Sequence, residues 1–202
     1  MNDLQKALSD IGSIRREMAQ STQFRGYGPA TLVATSAFAG LAAAAQAIWI
    51  PDPPMHMRRY LSLWLLTAVV SVALTGWQMY RRTRRMHSGL SNEMLRMAVE
   101  QFLPALGAGL LMTIVFTYCV PGVIWIVPGL WQVVFSVGIF SSCRFLPRPM
   151  AAAGAWYLLS GLAILALGDA RALAPWTMGL GFGVGQMMVA AVLYLSAQED
   201  AR

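Results

Sequence analysis

Val123-Ile124-Trp125-Ile126-Val127-Pro128-Gly129-Leu130-Trp131-Gln132-Val133-Val134-Phe135-Ser136-Val137-Gly138-Ile139-Phe140-Ser141-Ser142-Cys143 passes without a charged side chain. A helix needs about 20 mostly apolar residues to cross a hydrocarbon layer about 30 Å thick. This stretch meets that requirement. Ala30–Ile50, Tyr60–Tyr80, Gln101–Val120, Met150–Leu167 and Pro175–Ser196 repeat the pattern. Backbone groups in lipid must pair within the chain, and continuous apolar runs of this length do so as helices. The expected fold is all-α. It is a polytopic bundle of six transmembrane helices in three antiparallel hairpins, preceded by an N-terminal amphipathic helix. The expected divisions are residues 1–28, a cytoplasmic amphipathic helix and Gly/Pro turn; residues 29–196, the six-span bundle; and residues 197–202, a cytoplasmic tail.

Composition agrees. Hydrophobic residues make up 57% of the 202 residues and charged residues 12%, with a mean hydropathy of +0.54. A soluble domain carries about 25% charge. The net charge of +6 could suggest nucleic-acid binding in a soluble protein. Here the arginines gather beside span ends, the ordinary orientation signal, so no nucleic-acid partner is expected. Lys6, Arg15, Arg16, Arg25, Arg81, Arg82, Arg84, Arg85, Arg96, Arg144, Arg148 and Arg202 fall on one side, against Arg58, Arg59 and Arg171 on the other. Positive charge marks the cytoplasmic face. The chain therefore reads as a multi-pass protein of a bacterial inner membrane with both termini cytoplasmic. Arg25, the first apolar run and Ala45-Gln46-Ala47 also fit a signal peptide with its cleavage site. The long, polar, patterned segment before them is unusual for one. Cys119 and Cys143 fall at opposite ends of the third and fourth spans, too far apart for a disulfide, and read as small packing residues.

Residues 2–20 read as the amphipathic helix, with Asn2 as cap and Gln5 in capping-box spacing. Leu4, Ala7, Leu8, Ile11, Ile14 and Met18 form its apolar stripe. That stripe can pack on the bundle, lie on the bilayer, or meet a second copy or a cytoplasmic protein. Phe24-Arg25-Gly26-Tyr27-Gly28-Pro29 then breaks the helix. Trp49 and Tyr60 on one side, and Trp77 and Tyr80 on the other, form interfacial belts. Arg81, Arg82, Arg84 and Arg85 read as a topology anchor or a site for anionic headgroups. Ser91 is a plausible cap for the next helix. Arg96 and Glu100 have i, i+4 spacing for an ion pair, and Pro104 is expected to kink the same helix. Cys119-Val120-Pro121-Gly122 and Gly168-Asp169-Ala170-Arg171 are short links that force hairpins. At an offset of 47, Ala105, Gly107, Ala108 and Leu111 match Ala152, Gly154, Ala155 and Leu158. Pro128, Phe135, Val137 and Gly138 match Pro175, Phe182, Val184 and Gly185. This suggests related hairpins, as occur in transporters.

Polar groups inside a membrane are costly, so they point to function or to interhelical bonding. Candidate ligand-binding residues are Glu100 and Gln101 at the opening of the third span, Trp131 and Gln132 in the fourth, and Gln186 in the sixth. Gln46 and Gln78 sit nearer the interfaces. Gly179, Gly181, Gly183 and Gly185 form two small-xxx-small pairs on nearly opposite sides of the sixth span, which makes that span central. They lack the spacing of a phosphate-binding loop. His56 and His87, the two histidines, lie outside the spans on opposite sides, which excludes bis-histidine haem in the bundle. No H-E-x-x-H, intramembrane aspartate pair or serine–histidine arrangement occurs. No catalytic residue, metal site or cofactor is expected, and the chain leans away from being an enzyme.

Phe24-Arg25-Gly26-Tyr27-Gly28-Pro29, Glu100-Gln101-Phe102-Leu103-Pro104, Pro128-Gly129-Leu130-Trp131-Gln132 and Arg144-Phe145-Leu146-Pro147 are spread over most of the chain. On these segments the chain resembles a loose group of uncharacterised bacterial six-helix inner-membrane proteins with no established activity. The resemblance implies a bacterial helical membrane protein and nothing chemical. Two functions stay open. One is a non-enzymatic bundle that binds or moves a small apolar or neutral ligand. The other is a membrane-embedded interaction protein that oligomerises, or docks a cytoplasmic partner through residues 2–20 and the basic loop.

Overall fold

Proline and glycine set most helix boundaries in the computed structural model, which describes residues 29–85, 89–143 and 149–199. Helix α1 spans Pro29–Trp49 and opens on proline, whose fixed φ suits a first turn. Pro51, Pro53 and Pro54 follow its end. Helices α2 (Met57–Arg85) and α3 (Gly89–Tyr118) are the longest, at 29 and 30 residues. Helix α4 covers Val127–Ser142, α5 Met150–Ala166 and α6 Pro175–Glu199. There is no strand among the described residues. The expected amphipathic helix over residues 2–20 and the Gly/Pro turn before Pro29 lie outside the described residues.

Several boundaries differ from expectation for local reasons. Helix α2 starts three residues before Tyr60, and α3 starts at Gly89 rather than after Ser91. Pro104 sits inside α3, which is helical on both sides of it. The fourth apolar run begins with 3-10 geometry over Pro121–Ile126, kinked at Val123, whose angles are non-helical (φ −113°, ψ 16°). A second 3-10 turn, Ala170–Leu173, precedes α6. The Asp169 carboxylate caps it by accepting from the Arg171 backbone N–H at 2.8 Å, and it also holds the Arg171 Nε at 2.9 Å. These bonds keep the Asp169 carboxyl below the ordinary carboxylate range. Gly168 ends α5 with φ +70°, a left-handed conformation open to glycine.

The six-span expectation is met in part. Four helical stretches are long and apolar enough to cross a bilayer: Ala30–Trp49, Met57–Gln78, Pro121–Ser142 and Pro175–Ser196. The apolar parts of α3 and α5, Phe102–Tyr118 and Met150–Ala166, are shorter. At 1.5 Å per residue, a 17-residue helix such as α5 is about 25 Å long, a few ångströms under the usual hydrocarbon thickness.

Each helix packs against a sequence neighbour: α1 with α2, α3 with α4, and α5 with α6. The most extensive contacts join helices of different pairs, α1 with α6 and α4 with α5. Helix α6 is therefore central and α2 peripheral. Only 17% of the apolar stretch of α2 is buried, against 39% for Pro121–Ser142. One core cluster gathers Ile139, Met150, Ala153, Tyr157, Ala190 and Leu193, with Phe135 and Phe182 against it. The Phe135 ring lies 4.7 Å from Tyr157, 5.0 Å from Phe102 and 5.5 Å from Phe182. The second cluster closes the end carrying both 3-10 turns, through Tyr60, Leu61, Trp64, Val127, Leu173 and Met178.

Glycine permits the closest helix approaches. A Cβ on Gly161 would lie 2.8 Å from the Gly129 carbonyl oxygen, and one on Gly129 2.8 Å from the Gly161 oxygen. The α4–α5 interface is thus backbone against backbone, the small-residue contact expected where lipid supplies no hydrophobic drive between helices. Gly161→Val should lower stability by about 1–3 kcal/mol through overpacking, while Gly40→Ala, where a Cβ meets nothing within 4 Å, should leave it unchanged. Thermal unfolding of both purified variants checks this, and equal melting would contradict the packing described.

Candidate functional site

The interior of the bundle is polar at a few points, and nearly every such group is matched. Gln132 is fully buried on α4. Its Nε2 donates to the Thr177 carbonyl at 2.9 Å, and its Oε1 accepts from the Ser160 hydroxyl at 2.6 Å. One amide therefore joins α4, α5 and α6. It can lie there because Gly181 offers no side chain; a Cβ at that position would overlap the amide. Thr177, also buried, donates to the carbonyls of Ala172 and Ala174 and ties α6 to its preceding 3-10 turn.

Gln46 makes a second junction. It is fully buried in protein near the end of α1. The 3-10 turn at Ala170–Leu173 and the start of α2 cover the end of α1 where it sits. Its Nε2 donates to the Leu173 carbonyl at 2.7 Å, and its Oε1 accepts from the Trp64 indole at 2.8 Å. Further bonds join neighbouring helices. Trp131 donates to Thr113 Oγ1 at 2.7 Å, linking α4 to α3. Trp156 donates to the Gly181 carbonyl at 3.0 Å, linking α5 to α6. Ser36 donates to the Gly183 carbonyl at 2.7 Å, and Thr35 to Gln186 Oε1 at 3.4 Å, linking α1 to α6.

The glycines of α6 divide between two sides. Gly179 lies against Ala43, and Gly183 near Ser36, both on α1. Gly181 lies against Gln132 on α4, and Gly185 against Tyr157 on α5. Two hydroxyls, Tyr60 and Tyr157, are buried without a hydrogen-bond partner among the described residues. The Tyr157 hydroxyl lies beside the Gln186 amide without a well-formed bond to it.

Among the described residues, the candidates Trp131, Gln132 and Gln186 each hydrogen-bond to different partners. Trp131 and Gln132 are adjacent, but their polar atoms serve different helix pairs. Gln186 lies further along α6 than Thr177 and Gly181, on the side of Thr35. Glu100 is exposed on α3, ahead of Phe102, which packs on Phe135 and Gly138. The Gln101 side chain lies outside the described residues, as do those of Arg82, Arg84, Arg85 and Arg96. Arg81 is described; its guanidinium sits 5.8 Å from the centre of the Trp77 ring, an interfacial cation–π contact. Among the described residues no cluster of His, Cys, Asp or Glu could hold a metal ion. Cys119 and Cys143 are free.

Sequence reading missed Ser160, Thr177, Thr35 and Ser36 as partners. Hydroxyls are common in such helices and usually bond their own backbone, so they leave no periodic signal. The chemistry of this interior is cross-linking: its amides already hold protein donors and acceptors. In lipid such a bond is worth roughly 0.6–2 kcal/mol. A double-mutant cycle with Gln132→Leu and Ser160→Ala, unfolded from mixed micelles, should return a coupling in that range. Additive single effects would show that the 2.6 Å contact contributes nothing.

Comparison with family models, with curated proteins and with solved structures finds no match to this chain, so function must be argued from the packing and polar chemistry above.

Proposed function

We propose that this chain is a membrane-embedded interaction protein. It would sit in a bacterial inner membrane as three helical hairpins, with both termini and the Arg81–Arg85 segment in the cytoplasm. The observation that carries this reading is the state of the interior. The Gln132 and Gln46 amides are committed to neighbouring helices, and aromatic rings fill the space between α4, α5 and α6. A carrier needs polar groups free to exchange their partners for a ligand. A hydrogen-bonded bundle is instead suited to act as a rigid mount. The apolar stripe read in the sequence of residues 2–20, with the arginines of the Arg81–Arg85 segment, would then supply the working surface, where a second copy or a cytoplasmic protein docks. The group of bacterial membrane proteins that the chain resembles adds no activity to this reading.

One observation favours the second reading, a bundle binding a small neutral molecule: the buried Tyr157 hydroxyl lies beside Gln186 and has no well-formed hydrogen bond among the described residues. A compact hydrogen-bonding ligand could bridge these groups.

The test compares the full chain with a variant lacking residues 2–20, both extracted in mild detergent with their native lipids. The interaction reading expects an oligomer or a retained cytoplasmic protein for the full chain. It expects a bare monomer with unchanged helicity and melting for the deletion. A full chain that is monomeric and alone would overturn it, as would assembly that survives the deletion. A small molecule released on denaturation, and lost in Tyr157→Phe, would favour the second reading.

A further inference from the structure

The strongest feature outside the interior is a groove of about 310 Å3 between the end of α1 and the start of α2. Trp49 and Ile50 form one wall, and Arg59, Ser62, Leu63 and Leu66 the other. The second wall has a vertical order. Residues 59, 62, 63 and 66 have i, i+3, i+4, i+7 spacing and share one face of α2. Arg59 stands near the helix end, Leu63 one turn deeper and Leu66 about 10 Å below Arg59 at 1.5 Å per residue. A cation at the rim with aliphatic side chains beneath it matches the order of a phospholipid: phosphate at the interface, acyl chain below. Trp49, 72% exposed, supplies the amphipathic ring typical of that level.

No described residue pairs with the charge at this rim. No carboxylate lines the groove. Arg171, the other arginine at this end, is already held by Asp169, whereas neither Arg58 nor Arg59 forms an ion pair with a described residue. The Ser62 hydroxyl donates to the Arg58 and Arg59 carbonyls, so it offers a ligand no proton. Recognition of a phosphate therefore falls to the Arg59 guanidinium, whose planar fork fits phosphate oxygens. The groove volume is at the lower end of the range of about 300–1,000 Å3 for small-molecule sites.

The geometry points to an anionic glycerophospholipid bound in this groove, its phosphate on Arg59 and one acyl chain along Leu63 and Leu66. This site is independent of the interaction function proposed above: it involves neither residues 2–20 nor the interior amides.

The test uses the full chain in mild detergent, with phosphatidylglycerol or phosphatidylcholine added and retention read by native mass spectrometry. The wild type should retain phosphatidylglycerol in preference to phosphatidylcholine. Arg59→Gln should lower that retention about fivefold, the weight of one arginine at an anionic surface. Arg58→Gln, which removes the same charge from outside the groove, should change it less. Leu66→Trp, which fills the acyl path and keeps the charge, should also lower it. Unchanged melting would show that each variant is folded. Equal losses in Arg58→Gln and Arg59→Gln would overturn the site in favour of bulk charge. No preference between the two lipids would overturn the anionic assignment. Displacement by glycerol phosphate at equal concentration would show that the acyl chain contributes nothing, and would overturn the lipid as occupant.

Discussion

Both ends of the Gln132 amide are bound to other helices, and the packing of the bundle depends on that arrangement. Lipid offers no hydrogen bonds, so a polar side chain carried into it must find its partner inside the protein. Ser160 and the Thr177 carbonyl meet that need. Their positions in turn fix how α5 and α6 stand beside α4. Gly181 must stay small for the amide to fit, and Gly185 must stay small for Tyr157. Gln46 performs the same service for α1, α2 and the 3-10 turn before α6. Hydrogen bonds select the arrangement of the helices, and glycine contacts let them approach closely enough to form it.

The outer surface has the opposite character. Leu41, Leu66, Leu111, Val137, Leu159 and Leu180 are each more than half exposed, one on every helix. In water such a surface would be a large aggregation liability. In lipid it is simply solvated, and it contributes nothing to holding helix to helix. This explains how a chain so rich in large apolar residues can bury so few of them.

The helices were legible because an apolar run about 20 residues long has few other uses. The two-sidedness of the α6 glycines was legible too, since angular spacing along a helix is fixed. Burial was harder to read. Gln46 lies in the last turn of α1, and nothing in its position along the chain says that Trp64 and the turn ending at Leu173 fold over it. The fourth apolar run opens with 3-10 geometry kinked at Val123, and a backbone kink there has no composition signal. The polar candidates were picked for their rarity within apolar runs, but a linear list cannot say that Gln132 and Gln186 serve different contacts. That information lies in which helices become neighbours, and α1 meets α6 across nearly the whole length of the chain.

A spin label placed in turn at residues 41, 66, 111, 137, 159 and 180, in cysteine-free protein reconstituted into bilayers, reports the solvent at each helix. If all six helices are embedded in lipid, oxygen will relax every label and a water-soluble paramagnet will reach none. Relaxation by the water-soluble agent at residue 111 or 159 would place α3 or α5 outside the membrane and contradict a six-helix embedded bundle.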